Sequence, residues 1–170
     1  RNAAAAVTVR LAAGTATGGD GSDTLSGIEG AMGSAFADTL VGDDGVNILR
    51  GMGGNDSLDG GGGLDWADYR NTALAITATM ATGIVNVADG SVDTLVRIEG
   101  VSGSQAADTI TGGAGDDSIA GHLGNDTLTG GAGFDTVVYR WASAGVTVSL
   151  QAGTSGGADG NDLLGGFEAI

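Results

Sequence analysis

Between Gly112 and Val138 a large apolar side chain recurs once every nine residues, at Ile119, Leu128 and Val137, each preceded by Ser or Thr and set off by a glycine-rich polar stretch. So brief an apolar signal suits a very short strand, with one side chain pointing inward and its neighbours outward. Written in rows of nine, GGAGDDSIA, GHLGNDTLT and GGAGFDTVV, the stretch puts Gly112, Gly121 and Gly130 in the first column and Gly115, Gly124 and Gly133 in the fourth. Asp117, Asp126 and Asp135 share the sixth. Glycines at the first and fourth places predict a tight turn with positive φ, in which carbonyl oxygens converge with no Cβ between them. Each nonapeptide therefore reads as a turn followed by a strand.

A single such strand cannot bury its apolar residue, so the units must stack. Two nonapeptides of opposite strand direction make one coil, and turns two repeats apart then lie one above the other at an inter-strand spacing of about 4.8 Å. The same register appears in GGDGSDTLS from Gly18, in four units from Gly33, Gly42, Gly51 and Gly60, and in GSQAADTIT from Gly103. It fades into ordinary alternating, strand-like sequence from Tyr69 to Ser102 and again after Val138.

A longer period overlies the short one. Tyr69-Arg70 returns as Tyr139-Arg140, Gly33-Ser34 as Gly103-Ser104 and Ile28-Glu29-Gly30 as Ile98-Glu99-Gly100, all 70 residues on, and Phe167-Glu168-Ala169 follows 69 residues later. The three glutamates of the chain occupy these equivalent places. The predicted organisation is an array: 1–32 ends one module, 33–68 is a first block of nonapeptides, 69–102 a strand-rich segment, 103–138 a second block and 139–170 the start of the next strand-rich segment.

Composition agrees with a solenoid rather than an ordinary globule: 35 of 170 residues are Gly and there is no Pro or Cys. Acidic side chains number 21 against six basic ones, a formal charge of -15. That excess argues against nucleic acid as a partner and resists collapse until something neutralises it. An aspartate at a fixed period points to bound cations, and hard anionic and carbonyl oxygens suit Ca²⁺. No run of apolar residues is long enough to span a membrane as a helix, so membrane insertion is not expected.

Other motifs carry less. Gly153-Thr-Ser-Gly-Gly157 fits a nucleophile elbow in spacing but lacks a strand-to-helix context, and the only histidine, His122, falls in a turn and is expected to be exposed. Asn55-Asp-Ser57 and Asn125-Asp-Thr127 are by-products of the repeat. Trp66, Tyr69, Tyr139 and Trp141 follow the nonapeptide blocks and are expected to cap them. No catalytic constellation is present, so no enzyme activity is expected.

The nonapeptide register and the 70-residue joints resemble the RTX (repeats-in-toxin) family of proteins exported by bacterial type I secretion systems. The resemblance implies an all-β fold, a right-handed parallel β-roll with calcium-binding glycine-rich turns, in which each Ca²⁺ is shared by turns two repeats apart. Carried onto this sequence, the shared pairs are Asp38 with Asp56, Asn47 with Asp65, Asp108 with Asp126 and Asp117 with Asp135, while Asp23 and Asp162 are the corresponding residues of the flanking copies. Backbone carbonyls from the first and third turn positions complete the shells: Gly51 and Gly53, Gly60 and Gly62, Gly112 and Ala114, Gly121 and Leu123, Gly130 and Ala132. The neutral Asn47 is expected to weaken its site, and Val92 to disrupt one in the middle copy. The implied function is a structural or assembly module of a secreted or cell-surface protein of adhesin, surface-layer or fibre type, with neighbouring copies or other surface components as partners. The alternative is a secretion and folding appendage of an exported protease, lipase or epimerase.

Overall fold

The computed structural model describes residues 3–170; Arg1 and Asn2, which open the first predicted segment, lie outside the described residues. The described residues form strands, turns and bends with no helix. Nineteen short strands make two sheets.

The smaller sheet contains Gly30–Met32, Ile48–Arg50, Trp66–Asp68, Gly100–Ser102, Ser118–Ala120 and Thr136–Val137, stacked in chain order and all parallel. The larger sheet takes the alternate nonapeptide strands, Thr39–Val41 and Ser57–Asp59 from the first block and Thr109–Thr111 and Thr127–Thr129 from the second. Within a block the register is the one the period predicts: Leu40 lies beside Leu58, Leu49 beside Ala67 and Ile110 beside Leu128. Each of these central side chains points between the sheets and is fully buried, as are Val101, Ile119 and Val137. An alternating three-residue strand has one inward position, so the eighth-column residue alone builds the core of each coil.

The strand-rich segments fold into three-stranded antiparallel meanders: Val7–Arg10, Thr15–Gly18 and Gly21–Thr24; Ile76–Thr79, Ile84–Val87 and Val92–Val96; Val146–Ser149, Thr154–Gly157 and Leu163–Gly165. They do not interrupt the stack. In the middle meander the chain runs ahead to lay Ile76–Thr79 against Thr109–Thr111 of the second block, then folds back until Val92–Val96 pairs in parallel with Ser57–Asp59 of the first. Gly100–Ser102 meanwhile bridges Trp66–Asp68 and Ser118–Ala120 in the smaller sheet. Both sheets thus pass unbroken from one block to the next.

From Thr39–Val41 to Thr109–Thr111 the larger sheet passes through four intervening strands, whereas from Gly30–Met32 to Gly100–Ser102 the smaller passes through two. The wider core at this joint is filled by the meander residues Ile76, Ala78, Val85 and Leu95 and by the ring of Tyr69, all buried.

Candidate metal centre

Every sixth-column side chain of the two blocks is buried, although seven of the eight are carboxylic acids. The sequence places them at the turn edges of the coils, where the second member of each expected pair is tied to the coil behind it. Oδ1 of Asp56 accepts the backbone N–H of Asp38 at 2.8 Å, and Oδ1 of Asp65 that of Asn47 at 2.7 Å. In the second block Asp126 accepts from Asp108 at 2.8 Å and Asp135 from Asp117 at 2.9 Å. The four pairs expected from the sequence are therefore neighbours along two acidic ladders per block.

The second carboxylate oxygen separates the pairs' members. In the leading units it is satisfied within its own turn: Asp38 Oδ2 accepts from the N–H of Ser34, Asp108 Oδ2 from Ser104 at 2.6 Å and Asp117 Oδ2 from Gly113 at 2.5 Å, while Asn47 Oδ1 accepts from Asp43 at 2.7 Å. In the trailing units the turn's second residue is in the left-handed region, Met52 at φ 83°, Gly61 at 98°, His122 at 67° and Gly131 at 114°. No N–H of those turns reaches the carboxylate, and the Oδ2 atoms of Asp56, Asp65, Asp126 and Asp135 are buried with no hydrogen-bond partner. A buried, unpaired carboxylate oxygen is costly. Each expected pair holds one of these four atoms.

The surroundings of these oxygens are backbone carbonyls. A Cβ on Gly130 would collide with the Gly166 carbonyl and lie 2.7 Å from Asp135 Oδ2, so the first-column glycine leaves space between a carbonyl and a carboxylate that any side chain would fill. Among the described residues, no backbone hydrogen bond is accepted by the carbonyls of Gly51, Gly53, Gly60, Gly62, Gly112, Ala114, Gly121, Leu123, Gly130 or Ala132. Nor do three or more His, Cys, Asp or Glu side chains gather at one point, so carbonyls must supply much of any shell. Carboxylate and carbonyl oxygens without nitrogen or sulfur are a hard donor set that fits Ca²⁺.

Electrostatics points the same way. Burial pushes the Asp56 carboxyl up to about 7, with Asp93 and Asp38 adding to the rise, and pushes Asp126 up to about 7 with help from Asp162 and Asp108. Asp65, Asp108 and Asp117 are also raised, each chiefly by burial. A divalent cation beside them would favour the ionised form that burial opposes.

The remaining expected site residues lie elsewhere. Asp23 is exposed on the strand Gly21–Thr24. Asp162 continues a ladder, accepting the Asp126 N–H at 3.0 Å, but its Oδ2 is taken by the Tyr139 hydroxyl at 2.8 Å and Ser155 Oγ at 2.7 Å. The neutral Asn47 stands beside a charge in its own turn, its Nδ2 donating to Oδ1 of Asp43 at 3.2 Å. Positive φ is found at the fourth-column residues Gly54, Gly63, Gly124 and Gly133 but not at Gly45 or Gly115, nor at any first-column glycine of the blocks, so the curl belongs to trailing turns and to their second and fourth residues rather than their first and fourth.

Three ladder members were absent from the sequence-based set. Asp93 accepts the Asp56 N–H at 2.8 Å, so Val92 does not remove it from the ladder, and Oε2 of Glu99 and Glu168 accept the N–H groups of Asp65 and Asp135 at 3.0 and 2.9 Å. The signal for the glutamates was their repetition at one module position. His122 is half-buried rather than exposed, its ring 5.2 Å from that of Trp141, and burial lowers its pKa. The four aromatic residues do not form one cap: Tyr69 and Tyr139 turn toward the core, while Trp66 and Trp141 meet edge to face outside with centroids 5.7 Å apart. Arg140 covers the Trp141 ring at 3.9 Å, leaving no open indole platform.

A family model for the RTX calcium-binding nonapeptide repeat, in four copies, matches residues 14–31, 32–67 and 102–137, more than half of the chain. No curated protein matches it.

Proposed function

This chain belongs to the family of RTX calcium-binding nonapeptide repeats, and on that premise we propose that it is a calcium-loaded structural array, a spacer or assembly surface of a secreted or cell-surface bacterial protein. Repeats of this family are typical of type I-secreted extracellular proteins. In this reading the chain leaves the cell unfolded and folds where calcium is plentiful.

The residues that would hold the ions are the four pairs, with the bare Oδ2 atoms of Asp56, Asp65, Asp126 and Asp135 as anionic donors and first- and third-position carbonyls as the remainder. Bound calcium supplies positive charge at a place where the fold has buried negative oxygen. The chain's own part is to present those oxygens at fixed spacing: the N–H ladder orients each carboxylate, and the left-handed second residue keeps its Oδ2 free. Because the ladder exists only once coils have stacked, binding and folding are one event.

The observation that carries the array reading over an enzyme appendage is the continuity of both sheets through the joint at residues 69–102. A joint that preserves both sheets lets modules be added without limit, as in other quasi-one-dimensional folds. The role is structural, with no catalysis assigned to these residues. The test is to duplicate residues 33–102 between Ser102 and Gly103 and measure small-angle scattering in calcium. The array reading expects one elongated particle, longer by a fixed increment, with unchanged ellipticity per residue. An added module that hangs as a separate or unfolded body would contradict it.

A further inference from the structure

The acidic ladder along the larger sheet does not treat all its rungs alike. In the first block it runs Asp38, Asp56, Asp93, and in the second Asp108, Asp126, Asp162, each accepting the N–H of the one before. The middle members, Asp56 and Asp126, have a bare buried Oδ2. The last members do not. Asp93 Oδ2 accepts the hydroxyl of Tyr69 at 2.9 Å, and Asp162 Oδ2 accepts that of Tyr139 at 2.8 Å together with Ser155 Oγ at 2.7 Å.

The backbone at these last rungs also differs. Asp93 follows a hairpin instead of an open glycine turn, and that hairpin uses its own polar groups: the Val87 N–H reaches Ser91, Gly90 reaches Val87 and Ala88 reaches Ala75. Before Asp162, the Gly157 and Gly160 N–H groups and carbonyls bond each other. Before Asp162 the first- and third-position carbonyls are spent, Gly157 accepting from the Gly160 N–H and Asp159 from that of Gly124 at 2.8 Å, while before Asp93 the hairpin commits the Val87 carbonyl to Gly90. A carboxylate whose second oxygen already holds a phenol has no oxygen left bare for a cation, and at Asp162 the turn's carbonyls are spent as well.

We propose that the Tyr69 and Tyr139 hydroxyls stand where the middle rungs take a cation, so that the Asp93 and Asp162 rungs of each module joint are held without calcium. The inference rests on the calcium-array reading and refines it: ions fill the nonapeptide blocks, and the joints between blocks close by a hydrogen bond from an uncharged donor. Its chemical logic is that a phenol satisfies a buried oxygen without bringing charge, whereas a bare Oδ2 in an open turn calls for a counter-ion. The only two tyrosines of the chain are 70 residues apart, and both are used in this way. Asp162 has a second donor in Ser155, whereas the equivalent place in the middle meander is the apolar Val85, so the Asp93 rung depends on its tyrosine more heavily.

The experiment is an equilibrium-dialysis count of calcium bound to the whole chain at saturation, with urea midpoints measured on the same samples. The parent should bind about four ions, one for each bare Oδ2. Asp93→Asn combined with Asp162→Asn should leave that count unchanged, because each Asn still offers Oδ1 to the ladder. Asp56→Asn combined with Asp126→Asn should lower it by about two. Tyr69→Phe should keep the count and lower the urea midpoint, and Asp93→Asn should harm the Tyr69→Phe chain less than it harms the parent, the coupling expected of partners in direct contact. A parent count near six that falls on Asp93→Asn and Asp162→Asn would overturn the proposal and leave the calcium reading intact. A count indifferent to Asp56→Asn and Asp126→Asn would instead overturn the reading on which the proposal rests.

Discussion

Gly115 and Gly133 occupy the same column of turns two repeats apart, yet replacing each by alanine should move calcium-dependent folding in opposite directions. Gly133 has φ +139°, and a Cβ there would lie inside the van der Waals surface of the Gly115 carbonyl oxygen. Gly115 lies outside the left-handed region and has open space where its Cβ would go. Holding alanine in a glycine-only conformation costs about 1–3 kcal/mol, and lower chain entropy in the unfolded state returns about 0.4–1 kcal/mol. The net loss for Gly133→Ala is therefore about 1.3 kcal/mol before the collision with backbone is added. If two ions bind per block in one cooperative step, that loss is shared between them and raises the calcium midpoint about threefold, since each tenfold costs about 1.4 kcal/mol. Gly115→Ala gains only the entropy term and should lower the midpoint by up to about twofold. Far-ultraviolet circular dichroism during calcium titration reads both. Equal upward shifts for the two variants would mean that both turns share one conformation when loaded, and the division into leading and trailing turns would be refuted.

Other consequences can be checked on the same chain. Asp56 and Asp126 have folded-state values near 7 against an ordinary carboxyl value of 3.8, so each favours the folded state most at acid pH and loses that contribution as pH rises through about 7. In chelator, the chain should therefore gain β ellipticity as pH is lowered from 7 toward 4, and the calcium midpoint should rise over the same interval because the ion must displace those protons. A flat profile would count against the buried carboxyls as the groups that oppose metal-free folding. Asp117→Asn, in a turn with all its glycines, should raise the calcium midpoint several-fold. Asn47→Asp should change it little, since the Asp43 carboxylate already faces that side chain at 3.2 Å and a second charge would repel it.

Much of this fold was legible because the repeat forces local and tertiary order to coincide. Ile119, Leu128 and Val137 fall one to a nonapeptide and two to a coil, so their period gives the strands, the core and the pairing register together. The acidic ladders within blocks followed for the same reason, since partners such as Asp117 and Asp135 sit one coil apart. Legibility ended where contacts stop being periodic. Glu99 reaches back to Asp65 across the whole middle meander, and nothing in the local sequence gives the length of that excursion or its backward fold. Turn conformation was also hidden: Met52 and His122 take the left-handed form against their own preference, at a cost of about 1–2 kcal/mol each, because the stacked coil fixes the backbone there. Tyr69 and Tyr139 looked like caps because a phenol's apolar ring is easier to read from sequence than the buried carboxylate its hydroxyl meets.

The central claim is that a cation completes a fold that, among the described residues, has buried four sixth-column carboxylate oxygens without hydrogen-bond partners. The most direct measurement is the far-ultraviolet spectrum of the chain in excess chelator and then in rising calcium at neutral pH. A chain with net charge -15 should be largely disordered in chelator and should gain its β spectrum cooperatively at about 10⁻⁴ to 10⁻³ M Ca²⁺, with Mg²⁺ a poor substitute because it demands a small octahedral shell. A β spectrum that persists unchanged in chelator would contradict the account.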